Sequence, residues 1–310
     1  MNTDSTNVLY QKIGVTIEKL ALDLLSKNVG DRIQPISQYQ EDFAVSRGTI
    51  QNAIRYLEEA GAVNLTHHGH QGTYIAGLDY GKLQENCLRK GLMGIMPLPY
   101  SATYEGFATA IYEQLKDLRF NMAYARGAAG RIDLVVSGAY QFAVSSQYAA
   151  EYAIDSGKEI EVVLNFGTGS FLSQHVLLLR DVTMDGIVDG MRVAYDSDSL
   201  DQSKITQNLV KGKQVELVGI RTQQTIAALR AGIIDAGVWN YDDILENHHL
   251  EELKVVFLDA SEYNKLFSTA VLLVRKDGGY LKEVLKKYIN VKQTMEILED
   301  VRNGRRTPSY

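Results

Sequence analysis

Apolar residues recur at spacings of three and four from the start of the chain: Val8, Leu9, Ile13, Ile17, Leu20, Ala21, Leu24 and Leu25. This spacing predicts an amphipathic helix that Asn28 and Gly30 would end. Pro35 opens a second, shorter helical stretch, "ISQYQEDFAV", with Tyr39 and Phe43 on one face. A tight step through Ala44 and Val45 leads to Ser46, a good N-cap because its hydroxyl can accept an orphan backbone N–H. In the helix that follows, "RGTIQNAIRYLEEAG", Ile50, Ile54 and Leu57 form the apolar stripe and Gly61 terminates. Arg47, Thr49, Gln51, Asn52 and Arg55 face outward or flank that stripe. After Gly61 the period changes: "AVNLT" and "TYIAG" read as short strands, and Gly69 and Gly72 supply the positive φ of the turn between them. Residues 1–77 are thus predicted to form an α+β winged helix-turn-helix. In that arrangement the third helix enters the major groove and the hairpin touches the flanking backbone or minor groove.

Residues 78–90 read as a polar linker with a short helical turn. Beyond them strands alternate with helices, predicting an α/β domain over 91–310 with a parallel or mixed sheet. "GLMGIMPLPYSATYEGFATAIYEQLKD" gives strand, loop and a helix with Phe107, Ile111, Leu115 and Leu118 on one side. "IDLVVSG" and "QFAVSS" read as short strands, and "QYAAEYAID" as a helix. In "EVVLNFGTGSFLSQHVLLLR" two strands follow each other without a helix, which marks a crossing between lobes. "MRVAYDSDSLDQSKITQNLV" then reads as strand, polar loop and helix, and "VELVGIRTQQTIAALRAGIIDAGVWN" as strand, helix and strand. "STAVLLVRK" is a final strand returning to the first lobe, before helices near Tyr280–Ile289 and Gln293–Arg302. The closing "GRRTPSY" is expected to fray.

At 310 residues the chain exceeds what one core ordinarily serves. It shows neither an export signal nor a run of about 18 apolar residues, and its single cysteine, Cys87, suits a reducing compartment. A cytoplasmic protein is the expectation. The formal net charge is -6, and residues 1–77 hold six Lys and Arg against eight acids, a balance of -2. Phosphate neutralisation sets much of DNA affinity, so any DNA binding should be weak or strongly dimer-dependent.

"PISQYQEDFAVSRGTIQNAIRYLEEAGAV" followed by "GHQGTYI" resembles the N-terminal domain of GntR-type winged-helix transcriptional regulators, in particular a YhfZ-like branch with a different C-terminal domain. The likeness covers roughly residues 8–77. The Val-Ser-Arg turn, Thr49, Ala53, Ile54, Leu57, Gly61 and the Gly-Thr-aromatic hairpin return all fall in register. It implies a homodimer on double-stranded operator DNA, contacted through Arg47, Thr49 and Gln51. Ser46, Asn52, Arg55 and the wing residues His68 and His70 complete the candidate set. Two positions usually basic in such domains are Ser37 and Gln51 here, and a wing usually rich in arginine carries His67, His68, His70 and Gln71.

The element order over about 91–290, with the phrase "IAALRAGIIDAGV", resembles the two-lobed type II periplasmic-binding-protein fold found in solute receptors and in effector domains of many bacterial regulators. That resemblance implies a small-molecule cleft between the lobes, bordered by helix N-termini whose free N–H groups favour an anionic effector. The positions it marks are Ser101 and Thr103, then Thr168, Gly169 and Ser170, then Ser197 and Ser199, and finally Trp239 and Asn240. Each hydroxyl has an alternative as a helix cap or turn, and Trp239 as core filler. Asp196, Asp198 and Asp201 could repel a carboxylate, catch a cation or form a solvated turn.

No G-x-S-x-G, H-E-x-x-H, C-x-x-C or G-x-x-x-x-G-K-[ST] occurs, so no catalytic set can be named and no enzyme is expected. "RGAAGR", Arg126 to Arg131, lacks the strand-loop-lysine context of a phosphate loop. The competing class is a small-molecule enzyme on the same two-lobed fold, with the winged helix as an interaction module. His175 sits in an apolar strand and reads as a hydrogen-bonded structural side chain; His248 and His249 read as a helix end. His67, His68 and His70 admit three readings: a metal site, a polar turn or a DNA-contacting wing tip. Hairpin alternation would let His68 and His70 pair while His67 points away, and no nearby cysteine or carboxylate completes a metal set. Neither a metal nor a cofactor is expected.

Overall fold

The computed structural model describes residues 3–88, 91–247, 252–258 and 262–310; His248 and His249 lie outside the described residues. No described helix is long and apolar enough to cross a membrane. The chain forms two compact units.

The first unit opens with α1 (Thr3–Leu25), α2 (Ile36–Phe43) and α3 (Arg47–Glu59). Leu20, Ala21, Leu24 and Leu25 of α1, Tyr39 and Phe43 of α2, and Ile50, Ala53 and Leu57 of α3 form its buried core. Between α2 and α3 the chain turns at Ala44, whose φ of 54° is the only positive value outside glycine among the described residues. Its N–H caps α2 on the carbonyls of Gln40 and Glu41. β1 (Val63–His67) and β2 (Thr73–Leu78) pair antiparallel, and the turn between them uses Gly69 (φ 56°) and Gly72 (φ 101°). Residues 30–33 run beside β2: Gly30 N–H donates to the Ile75 carbonyl at 2.8 Å, and Ile33 N–H to Thr73 at 3.0 Å. Within the stretch read as a linker, α4 (Tyr80–Cys87) is capped by Asp79, which accepts the Lys82 N–H at 3.0 Å, and packs on α1.

The second unit is built around two five-stranded sheets, and its two lobes are the two sheets with their helices. Its elements begin with β3 (Leu92–Met96), α5 (Ala102–Gln114), β4 (Phe120–Tyr124), α6 (Ala128–Val136), β5 (Phe142–Ser146), α7 (Gln147–Asp155) and β6 (Ile160–Asn165). After the crossing come β7 (His175–Leu179), β8 (Arg192–Tyr195), α8 (Leu200–Leu209), β9 (Glu216–Gly219), α9 (Thr225–Arg230), β10 (Ala236–Asn240), α10 (Tyr241–Asn247), β11 (Lys254–Phe257) and α11 (Glu262–Ser268). β12 (Ala270–Arg275) returns to the first lobe, and α12 (Leu281–Tyr288) and α13 (Val291–Arg302) follow. The first sheet runs β4-β3-β5-β12-β6, with β12 antiparallel to both neighbours; the second runs β11-β7-β10-β8-β9, with β7 antiparallel to both of its own. β5 and β7 are buried on both faces, which is why they read as continuous apolar runs.

α12 belongs to the first unit rather than the second. The preceding Tyr280 hydroxyl donates to Asp42 at 2.9 Å, and Lys287 Nζ donates to the Lys27 carbonyl at 2.5 Å.

Two expectations are overturned. "IDLVVSG" is not a strand: Ile132 to Val136 belong to α6, which starts after Gly127 (φ 73°) and stops before Gly138 (φ 76°). Ile132 and Val135, three apart, are both buried on its inner face, and so short an apolar run carries no period of its own. The tail is not frayed either. Ser309 N–H donates to Thr109 at 3.0 Å, the Tyr310 hydroxyl to Glu105 at 3.0 Å, and Arg306 pairs with Glu113 at 2.6 Å, so the last residues dock along α5.

Candidate functional site

In the first unit the apolar stripe of α3 faces inward, so its other face is set by subtraction. Ser46 Oγ accepts the Thr49 N–H at 3.3 Å and lies 2.9 Å from the Thr49 hydroxyl, fixing the first turn. Arg47, Gln51, Asn52 and Arg55 are exposed, while Ile54 is half-buried beside Ile50, Ala53 and Leu57. Neither arginine makes an ion pair among the described residues. At the wing, β1 ends at His67 and a single 3₁₀ turn, Gly69–Gln71, replaces the strand. The alternation that would pair His68 with His70 therefore stops before reaching them. His67 Nδ1 lies 2.9 Å from Thr73 Oγ1, the His68 ring stands edge-on to Tyr74 at 5.4 Å, and His70 sits in the 3₁₀ turn at the tip; all three are exposed. Among the described residues no group of three or more His, Cys, Asp or Glu is placed to hold a metal. Sequence reasoning missed Arg32: residues 30–33 flank β2, and a side chain at Gly72 would strike its guanidinium. The wing thus has an arginine beside its turn, supplied from the loop after α1.

In the second unit a cavity of about 360 Å³ lies between the lobes. From the first lobe come Tyr100, Tyr104 and the start of α6 with Arg126, Gly127 and Arg131; the crossing supplies Phe171 and His175. From the second lobe come Asp196, Asp198, Ser199 and Asp201 around the start of α8, then Arg221, Thr222, Gln223 and Asn240. Tyr100 and Tyr104 meet edge to face at 5.2 Å, and Tyr104 and Phe171 at 5.3 Å, making one aromatic wall. The lobes touch across the cavity: Arg126 Nη1 donates to Gln223 at 3.0 Å, and Ser146 Oγ to Asp201 at 2.7 Å. A Cβ on Gly127 would lie 3.1 Å from the Asp198 carbonyl, so this approach needs glycine.

The cavity's electrostatics rest on two buried charges. Arg131 is 4% exposed; its Nη1 donates to the Ala125 carbonyl at 2.9 Å and its Nε has no hydrogen-bond partner. Burial pulls its pKa below the usual arginine range, against the pull of Tyr104 and Asp201; a guanidinium nonetheless keeps its proton. Asp201 is 8% exposed, and burial pushes its carboxyl up to about 7, with Ser146 and Arg131 opposing. Burial takes His175 down to about 4, leaving a neutral imidazole at ordinary pH. Asp196 is already engaged, accepting both the N–H and the hydroxyl of Thr222 at 2.8 Å.

Of the positions marked from sequence, the structure brings Ser199 and Asn240 to the cavity. Asn240 Oδ1 accepts the Asp242 N–H at 3.0 Å, and its side chain meets the Tyr100 hydroxyl. Trp239 packs in the second lobe's core, donates to Asp243 at 2.8 Å and borders a separate apolar depression with Leu98 and Pro99. The others lie off the cavity wall. Ser101 is buried, and Thr103 reaches Asp242 at 3.3 Å. Thr168 is exposed, Gly169 supplies a φ of 81°, and Ser170 accepts the Ala270 N–H at 2.8 Å; Ser197 is exposed. The residues missed were the aromatic wall and the arginines of "RGAAGR". The available signal was a glycine-framed helix start holding two arginines, a combination of donors and positive charge that favours anions in general even without a phosphate loop.

Residues 79–310 match the YhfZ C-terminal domain, and residues 28–75 match a helix-turn-helix domain. The chain is 29% identical to YhfZ of Escherichia coli (strain K12) over 305 residues, 97% of this chain and 98% of that protein. The crystal structure of YhfZ from Shigella flexneri superposes with a TM-score of 0.61 at 28% identity, covering 71% of this chain and 93% of that one. A periplasmic substrate-binding protein from Coxiella burnetii, at 12% identity, gives a TM-score of 0.50 over 70% of this chain and 100% of its own; it shows the shared two-lobed fold. Matched by that C-terminal domain over most of its length, the chain belongs to the YhfZ family.

Proposed function

We propose that the protein is a bacterial transcriptional regulator whose binding to operator DNA is modulated by a small anionic-group-bearing metabolite held between the lobes of its C-terminal domain. Residues 1–77 would carry the DNA contacts, 78–90 the connection and 91–310 the effector site. The observation that carries the reading is one chain holding both an exposed, unpaired polar face on α3 and a cavity lined by a buried, incompletely partnered arginine. On α3, Arg47, Gln51, Asn52 and Arg55 can reach base edges and phosphates, with Ser46 and Thr49 holding the first turn. His68, His70 and Arg32 would serve the flanking backbone. As a homodimer the protein would present two such helices to half-sites about 34 Å apart, and a ligand that prefers one lobe arrangement would bias that spacing.

Fluorescence anisotropy on DNA from upstream of its own gene, at about 50 and about 200 mM salt, tests the reading. Sequence-selective binding that weakens with salt is expected. The Arg47→Ala, Gln51→Ala double variant should lose selectivity while keeping the ligand-induced thermal shift. Absence of selective binding by well-folded protein at the lower salt would refute the regulator reading.

A further inference from the structure

Arg131 and Asp201 are both buried in the wall of one cavity, yet they make no ion pair with each other among the described residues. Arg131 spends one nitrogen on a backbone carbonyl and leaves Nε unpaired; Asp201 holds one hydroxyl, from Ser146. Taking two opposite charges out of water without joining them leaves both desolvation penalties largely uncompensated. A ligand bearing only a negative charge would satisfy Arg131 and stand against Asp201, and one bearing only a positive charge would do the reverse. The other charged side chains on the wall, Arg126 and Arg221 against Asp196 and Asp198, match in number, so they add no net charge of either sign to this balance.

We propose that the cavity binds a zwitterion of the α-amino acid class, its carboxylate on Arg131 and its ammonium group on Asp201. The inference rests on the effector reading of this cavity and names the chemistry of its ligand. A planar guanidinium matches a carboxylate through parallel N–H donors, and the uncapped start of α6 lies on the same wall. The ammonium meets the free capacity of Asp201. Tyr100, Tyr104 and Phe171 provide an apolar surface for the amino acid's side chain, which suits an uncharged one.

The test uses the full chain, titrated with each common L-amino acid in thermal-shift and calorimetric assays. For any binder the des-amino acid and the carboxamide follow, with succinate and glucose 6-phosphate as purely anionic probes. At least one amino acid should raise the melting temperature, and loss of either its amino group or its carboxylate should weaken binding at least about tenfold. Asp201→Asn and Arg131→Lys should each do the same while keeping a native circular-dichroism spectrum. The zwitterion proposal is overturned if no amino acid binds, if the des-amino acid binds as well as its parent, or if neither substitution changes affinity. DNA anisotropy separates the two ideas. Amino-acid binding that depends on Arg131 and Asp201 but leaves DNA affinity unchanged upholds the ligand class and removes the effector role. Succinate or glucose 6-phosphate altering both melting and DNA affinity, with no amino acid doing so, upholds the effector role and removes the zwitterion.

Discussion

Replacing Asp201 with asparagine should make the unliganded protein more stable. Burial pushes the Asp201 carboxyl from 3.8 up to about 7, so the folded protein holds this proton where the unfolded chain has released it. Stability therefore falls as pH rises from about 4 to about 7, because the native state binds more protons across that window, and the loss is complete above it. About three pKa units at about 1.4 kcal/mol each correspond to up to about 4 kcal/mol at pH 8. Asparagine is nearly isosteric, cannot ionise, and its Oδ1 can still accept the Ser146 hydroxyl that now donates to Asp201 at 2.7 Å. Asp201→Asn should then raise the melting temperature at pH 8 by roughly 5 to 15 °C for a unit of this size. The difference should shrink by more than half at about pH 5 and vanish near pH 4. Scanning calorimetry of ligand-free parent and variant at these pH values reads this directly. Equal melting temperatures at pH 8, or a gap that does not depend on pH, would refute the idea that Asp201 carries an uncompensated charge.

Three further outcomes are expected. Ser46→Ala removes the cap on α3 and should cost about 1 kcal/mol in urea unfolding, with weaker DNA binding as the first turn loosens. His68→Arg with His70→Arg adds permanent charge at the exposed wing tip, and should tighten DNA binding and steepen its salt dependence, by up to about two phosphate contacts in the anisotropy titration. Gly127→Ala combines a φ of 73° with a Cβ 3.1 Å from the Asp198 carbonyl. It should destabilise the protein by about 1 kcal/mol or more and weaken ligand binding in calorimetry, because the lobes can no longer approach there.

The helix-turn-helix was legible because its signals are local. A hydroxyl at Ser46, a stripe read at Ile50, Ile54 and Leu57, of which Ile50 and Leu57 are buried and Ile54 half-buried beside Ala53, and two glycines at the wing turn each act within a few residues. The lobe crossing and the return of β12 were legible because two strands lay without a helix between them and an apolar run came late. The cavity was harder. Ser101, Thr103 and Ser170 were marked because hydroxyls border ligand clefts, but a hydroxyl serves a nearby backbone or carboxylate equally well, as Ser170 does at Ala270 and Thr103 at Asp242. Arg131 carried the opposite signal: an arginine in a short helix ordinarily faces water, yet here it is buried in the cavity wall. The docked tail was missed because its partners Glu105, Thr109 and Glu113 lie about 200 residues earlier in the chain.

β12 sits between β5 and β6, in the interior of the first sheet, although it is the last strand to be made. Residues 278–289 likewise complete the first unit, where Lys287 reaches the carbonyl of Lys27. Both units therefore take in late-made segments, 278–289 in the first and 290–310 in the second, and their full set of contacts joins distant parts of the chain. A chain cut short before residue 278 would lack the last helix of the first unit and, if cut before β12, an interior strand of the second unit's first sheet.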